Sequence, residues 1–377
     1  MHLVMLASTH PPTDARILYR ESLTVRDAGH KVTVLTMANG NYTSESGIRF
    51  EIVSRPRNRF LRVLKGRYLM KRALELDADI YIVHDPEILH ASNILTRNGK
   101  KYIYDAHEPY PDFLAEKDWV PGILRKPVKK FVAREELKGA VNASGLIVAM
   151  SENKERLRKA NRPVLTLHNY PRYRDITPEM LKKDKSVIYL GGIMDVRFGR
   201  EIISMARHFN EGSLLEGWQL KVIGPIHDIN YRNSCLQDSN PYQTKPYFDF
   251  HPGFMKYSMA MKEVERASFG LSLVRPTRNY SQIVSSKVFD YMAKGTIPVA
   301  TWLPSYNGLV SEEDGPVFIE PGEEERVPEI IANIAADEEA MRQRAERCIQ
   351  SVREKFNWEI EGKELPGFLE RIVENKS

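Results

Sequence analysis

The sequence predicts an α/β chain of two doubly wound domains, each a parallel sheet covered by helices, facing each other across an interdomain cleft. Three observations carry this. Short apolar runs alternate with helical periodicity from end to end, and that alternation breaks once, around Leu165 to Tyr173. The 377 residues are also too many for one ordinary doubly wound domain and comfortable for two.

In the first half, strands are expected at His2–Ala7, Lys31–Leu35, Ile80–Val83, Tyr102–Tyr104 and Gly145–Ala149. Runs such as LVMLA and IYIV lack polar alternation, as strands buried on both faces do. A helix over Ala15–Ala28 closes at Gly29. The segment LTLHNYPRY, Leu165–Tyr173, reads as a connector and divides the chain into domains 1–170 and 171–357. Strands of the second domain are expected at Val187–Leu190, Leu220–Ile223, Phe248–Phe250, Gly270–Leu273 and Thr296–Ala300, and an amphipathic closing helix at Trp358–Glu374.

The net charge of +5 is modest but uneven. Between Ser54 and Leu74 stand eight basic residues, Arg55, Arg57, Arg59, Arg62, Lys65, Arg67, Lys71 and Arg72, and no acid. Leucines, Val63 and Tyr68 interleave with them. A second cluster follows Trp119, Ile123 and Leu124: Arg125, Lys126, Lys129, Lys130 and Arg134, with Phe131 among them. Arg55–Arg72 and Arg125–Arg134 are therefore expected to meet an anionic membrane surface; no nucleic-acid motif accompanies the charge, so nucleic acid is not expected as a partner. No stretch reaches membrane-spanning length, and the N-terminus lacks the basic lead and cleavage site of a signal peptide. Cys235 and Cys348 match no metal or redox spacing. The expected location is the cytoplasm, peripheral on the inner face of the cell membrane.

The run SSKVFDYMAKGTIPVA, Ser285–Ala300, places Ser285, Ser286 and Lys287 at a helix start, where backbone amides and the helix dipole favour a phosphate. Asp290, three positions on, shares the face of Lys287 and suits a ribose or sugar hydroxyl. Upstream, Tyr189 and Leu190 lead into Gly191, Gly192 and IMDVRFGR: a strand, a glycine turn that admits close approach, then Arg197, whose planar fork can clamp a diphosphate. Gly224 and Gly253 end two further strands of this half and join the expected ligand-binding set. In the first half, the loop THPPTDARI offers His10, Asp14 and Arg16 for a hydroxylated ligand, with Asp14 alternatively a helix cap. His84 and Asp85 end one strand, and YDAHE delivers His107 and Glu108 at the end of another. Asp77-Ala78-Asp79 imitates a metal-binding carboxylate pair, but it precedes a strand and so falls at the wrong end of the sheet. No required metal or cofactor is expected.

On the loop HPPTDARI, the pairs HD and DAHE, LHNYP (Leu167–Pro171), YLGGIMDVRFG, Val222–Pro225 and above all SSKVFDYMAKGTIPVA, the chain resembles retaining glycosyltransferase family 4. The resemblance covers nearly the whole length. It implies the two-domain glycosyltransferase-B fold, with Rossmann-like halves. The N-terminal half would bind the acceptor, the C-terminal half a UDP- or GDP-type nucleotide sugar, and the helix 358–377 would return to the first domain. It further implies Arg197 and Lys287 on the diphosphate, Asp290 on the ribose, and His107 near the transferred sugar, with retention of anomeric configuration. The acceptor would be a glycan or lipid-linked sugar, in surface polysaccharide or glycolipid assembly. Two departures stand out: Gln282 occupies the position where many relatives carry glutamate, and Phe198 separates Arg197 from Gly199. A sugar-nucleotide epimerase is the alternative on the same fold. A membrane-bound scaffold is a further one, and a nicotinamide dehydrogenase is disfavoured because no Gly-x-Gly-x-x-Gly follows a strand.

Overall fold

The computed structural model describes residues 1–44, 46–115, 120–179, 181–277 and 283–375. Trp119 and Gln282 lie outside the described residues. The chain divides into two compact units: Met1–Asn169 together with Trp358–Ser377, and Tyr170–Asn357.

The first unit is built on seven parallel strands: β1 (His2–Ala7), β2 (Lys31–Ala38), β3 (Arg49–Ser54), β4 (Ile80–Val83), β5 (Lys101–Ala106), β6 (Gly145–Val148) and β7 (Val164–Thr166). Their order is β3-β2-β1-β4-β5-β6-β7. Both faces are covered, and β1 shows how: Val4 and Leu6 enter one core, while Leu3, Met5 and Ala7 enter the other. The second core is completed from the far end of the chain by Trp358, Leu365, Phe368, Leu369 and Ile372. The expected closing helix is split into Trp358–Gly362 and Glu364–Glu374.

The second unit repeats the plan with β8 (Asp184–Leu190), β9 (Gln219–Ile223), β10 (Phe248–His251), β11 (Ala267–Ser272), β12 (Ile297–Thr301) and β13 (Val317–Ile319). Their order, β10-β9-β8-β11-β12-β13, reverses direction between β8 and β11 as the first sheet does between β1 and β4. Ligands of such sheets bind beyond the carboxyl ends of the strands at that reversal. The expected connector Leu165–Tyr173 overlaps the last two residues of β7, and β3 and β13 add strands the apolar runs did not announce.

Asp77 and Asp79 lie before β4, at the amino ends of the strands. Asp77 pairs with Lys100 at 2.6 Å and Asp79 accepts from the His2 amide at 2.6 Å. Both are accounted for as local structural partners.

Candidate active site

In the second unit, β8 runs out at Leu190 and the chain turns through Gly191 and Gly192. Gly191 adopts a φ of +138°. A β-carbon there would lie 2.6 Å from Cε and 2.9 Å from Nζ of Lys287, with Nη1 of Arg197 at 3.8 Å. One at Gly192 would lie 3.5 Å from the same Arg197 nitrogen. Two cations ninety positions apart in sequence thus share the space above one glycine turn. Lys287 Nζ also sits 4.8 Å from the centre of the Tyr189 ring, whose hydroxyl donates to the Gly192 carbonyl at 2.7 Å and holds the turn in place. Gly224, at φ +152°, ends the neighbouring β9, and a β-carbon there would stand 1.9 Å from the Gly191 carbonyl oxygen. Its lack of a side chain lets the two strand ends meet.

Lys287 lies in the first turn of the helix Ser286–Ala293. Ser285 makes no side-chain capping bond; its hydroxyl is instead 3.0 Å from that of Ser272. The first amides therefore add to the positive end of the helix. Burial, and then the neighbouring Arg197, hold the Lys287 ammonium well below the usual lysine range, partly opposed by Asp290. Phe198, the residue that separates Arg197 from Gly199, takes the left-handed conformation at φ 54°, with Arg275 over its ring at 4.2 Å. That strain turns the chain from the short helix Asp195–Arg197 into Gly199–Ser204.

In the first unit the reversal point carries a buried polar cluster around Asp105 on β5. Arg16 grips it with Nε at 2.7 Å and Nη2 at 2.9 Å, and donates Nη1 to the Leu167 carbonyl and to Asn169. Nδ1 of His84 and of His107 stand 2.9 and 3.1 Å from the same Asp105 oxygen. The Arg16 charge and the histidine bonds outweigh burial and keep Asp105 well below the carboxylate range. Glu21 lies 2.9 Å from Arg16 Nε, but that single N–H is aimed at Asp105, so burial and the Asp105 charge drive the Glu21 carboxyl well above its usual range. His10 pairs with Asp85 at 3.2 Å; burial opposes its charge, yet Asp85 pushes its pKa up to about 9. The ligand atoms of His84, Asp105 and His107 lie within 4.8 Å of one another, a spacing a metal ion could use, but Arg16 already brings a positive charge to both Asp105 oxygens.

Residues 15–169, most of the first unit, match the model of the family described as Glycosyltransferase Family 4. Solved structures align over the entire chain. Sucrose-phosphate synthase from Thermosynechococcus elongatus superposes with a TM-score of 0.76 at 13% identity, covering 100% of both chains. Anabaena HepE, solved with UDP and glucose, gives 0.73 at 12% identity, covering 98% of this chain and 100% of its own. An α,α-trehalose-phosphate synthase (UDP-forming) from Burkholderia xenovorans, solved with glucose-6-phosphate, gives 0.69 at 10% identity, covering 99% and 100%. No curated protein sequence matches the chain. Sheet order and superposition establish the two-domain glycosyltransferase-B fold.

Within this fold the expected residues fall into distinct places. Gly191, Gly192, Arg197 and Lys287 come together; Ser285, Ser286 and Asp290 belong to the same helix start, and Gly224 supports the turn from behind. Gly253 follows the edge strand β10, and the nearest atom a β-carbon there would meet is His251 Nε2. Asp14 caps the helix that begins at Ala15, accepting from the Arg16 and Ile17 amides. Arg16 is 5% exposed with its donors spent on Asp105, Leu167 and Asn169. Both are corrected from acceptor ligands to supports. His84 is likewise fully buried and bonded to Asp105, and it lines a cavity together with His10, His107 and Glu108. Asp105 and Glu21 were not singled out from sequence. A lone aspartate in the apolar strand KYIYDA was the available signal, since a buried charge demands partners; Glu21 had none.

Proposed function

We propose that this chain is a glycosyltransferase that moves a hexosyl group, with retention, from a UDP- or GDP-type nucleotide sugar to a hydroxyl of a glycan or lipid-linked acceptor in surface polysaccharide or glycolipid assembly. The observation that carries the reading is the convergence of Arg197 and Lys287 above Gly191. Negative charge that grows on a departing diphosphate needs fixed positive charge, and two cations beside an uncapped helix start supply it. The UDP in the Anabaena HepE structure and the UDP-forming trehalose-phosphate synthase support a UDP-sugar in particular. Gly191, Gly192, Ser285 and Ser286 would lie against the donor, Asp290 would take the ribose, and His107 would act on the transferred sugar. His10 and Glu108 would contact the acceptor.

The transfer is proposed to need no metal. A transferase assay with UDP-glucose or GDP-mannose, run with and without EDTA and with anomers read by NMR, tests donor, metal and stereochemistry together. Conversion of donor without any acceptor would replace this reading with epimerisation. No helix of the described residues is long and apolar enough to cross a membrane. Phe60, Leu61, Leu64 and Tyr68 are each more than half exposed on the basic helix Arg59–Glu75, and Ile123 and Phe131 are exposed beside the second cluster. These support peripheral docking on an anionic inner membrane face. Equal sedimentation with neutral and anionic liposomes would count against docking.

A further inference from the structure

The amino ends of the second sheet, the end away from the Gly191 turn, frame a cavity of about 630 Å³. Trp218 stands just before β9, Lys183 just before β8, and Ile297 opens β12. Met341 and Ala345, on one face of the helix Glu338–Glu354, close it together with Ala335, where the helix Val327–Ala335 ends. Small-molecule sites share this make-up, an apolar wall with a few polar groups. Two of the polar groups here lack the partner their chemistry calls for. The Trp218 ring is 9% exposed and lies 5.7 Å from the Phe269 ring, yet its indole N–H donates to none of the described residues. A buried indole N–H ordinarily finds an acceptor. The Lys183 ammonium donates to the Glu265 and Lys294 carbonyls, each at 2.6 Å, and among the described residues no carboxylate forms an ion pair with it. Its charge therefore touches only neutral oxygens, and burial pushes its pKa down to about 8. The carboxylates on the same wall are already engaged: Asp184 by Arg266 at 3.0 Å, Glu338 by Lys185 at 3.9 Å, and Glu346 by Arg342.

We infer that this cavity binds an amphipathic monocarboxylate, with its carboxylate accepting from the Trp218 N–H beside the Lys183 charge and its aliphatic body against Ile297, Met341 and Ala345. A hydrocarbon would leave the donor and the charge unanswered, and a small hydrophilic anion would leave the apolar wall uncovered. The strand ends that carry Gly191 and Gly224 lie at the opposite end of the same sheet, so the inference stands whether or not the transferase reading does.

Calorimetric titration of the full chain with decanoate, decanol and acetate compares the whole guest with its body and its head alone. Decanoate should bind about tenfold tighter than decanol, and acetate should give no saturable heat, since the charge-assisted contact and the apolar body both contribute. Trp218→Phe keeps a ring in place and removes the donor, and should weaken decanoate by about tenfold. Ala335→Trp, at a partly exposed position on the wall, should block binding while the chain stays folded, which melting without ligand verifies for both variants. Decanoate held no tighter than decanol, or held unchanged by either variant, overturns the inference. Saturating UDP should leave decanoate binding in place; displacement by UDP would assign decanoate to the Gly191 turn and overturn the inference as well. A chain that takes decanoate but no UDP overturns the transferase reading alone.

Discussion

A lysine held by burial and by Arg197 well below its ordinary pKa releases its proton readily, and a bound diphosphate reverses both influences. Above the depressed pKa, UDP binding should therefore take up a proton, and affinity should fall as pH rises toward the usual lysine range. Calorimetry in two buffers of different ionisation heat reads the uptake, and identical heats would sink the assignment. Lys287→Ala should abolish the uptake and lower turnover by about one to two powers of ten, the value of one charge-assisted contact. Glu21 gives the opposite kind of signal. Its folded pKa lies above the unfolded value, so the native state holds a proton that the unfolded chain releases; stability is full below about pH 4.3 and declines as pH rises through the window to the raised folded value. Glu21→Gln keeps the shape and removes the titration. Its melting temperature should fall less than that of the unsubstituted chain between about pH 5 and 8, and parallel curves would refute the buried proton. Lys287 was legible in the sequence because its neighbours in the chain, two serines and a helix start, already make a phosphate grip. Glu21 was not, because His84 and Asp105 create its surroundings and lie far along the chain.

Two glycines at the ends of adjacent strands separate structural from functional demands on the same element. A β-carbon at Gly224 would strike the Gly191 carbonyl at 1.9 Å, and backbone cannot step aside without parting β8 from β9. At Gly191 the obstruction is the flexible end of Lys287. Gly224→Ala should cost about 3 kcal/mol or more in denaturant unfolding, whereas Gly191→Ala should cost about 1–2 kcal/mol for its φ and chiefly reduce UDP affinity by displacing Lys287. Equal losses of stability in the two variants would contradict the distinction. The central strands were legible because burial on both faces leaves an unbroken apolar run, as in β1 and β4. Those the sequence concealed lie at sheet edges: β3 alternates as RFEIVS, and β7 and β13 are three residues each, too short for any period to show. The helix at Ala15 was legible by its cap and apolar face. Its wide winding over Ala15–Ser22, which carries Arg16 and Glu21 into the Asp105 cluster, left no trace in residue spacing.

The first unit is discontinuous in sequence, and this gives the chain's last twenty residues a weight their position conceals. Asn357 is tied by its side chain to the Val352 and Arg353 carbonyls and belongs to the second unit; Trp358, the next residue, is 2% exposed in the first. Its indole donates to Thr24 at 2.7 Å, Phe368 and Ile372 pack against Gly145 on β6, and Lys101 donates to the Ile372 and Val373 carbonyls that end the last helix. Leu365 and Leu369 fill the same core. At about 2 kcal/mol for each large apolar side chain removed from water, these five residues contribute on the order of 10 kcal/mol, comparable with the whole stability of a domain. A chain ending at Asn357 should therefore lose the cooperative unfolding of the first unit while the second, whose sheet and cores are complete without the segment, still melts as one transition. Hydrogen exchange separates the outcomes: protection should vanish across β1 to β7 and persist across β8 to β13. A synthetic peptide spanning 358–377, added in trans, should restore the first set. Protection retained in β1 to β7 without it would mean that the surrounding core closes by itself and that the returning helices only decorate it.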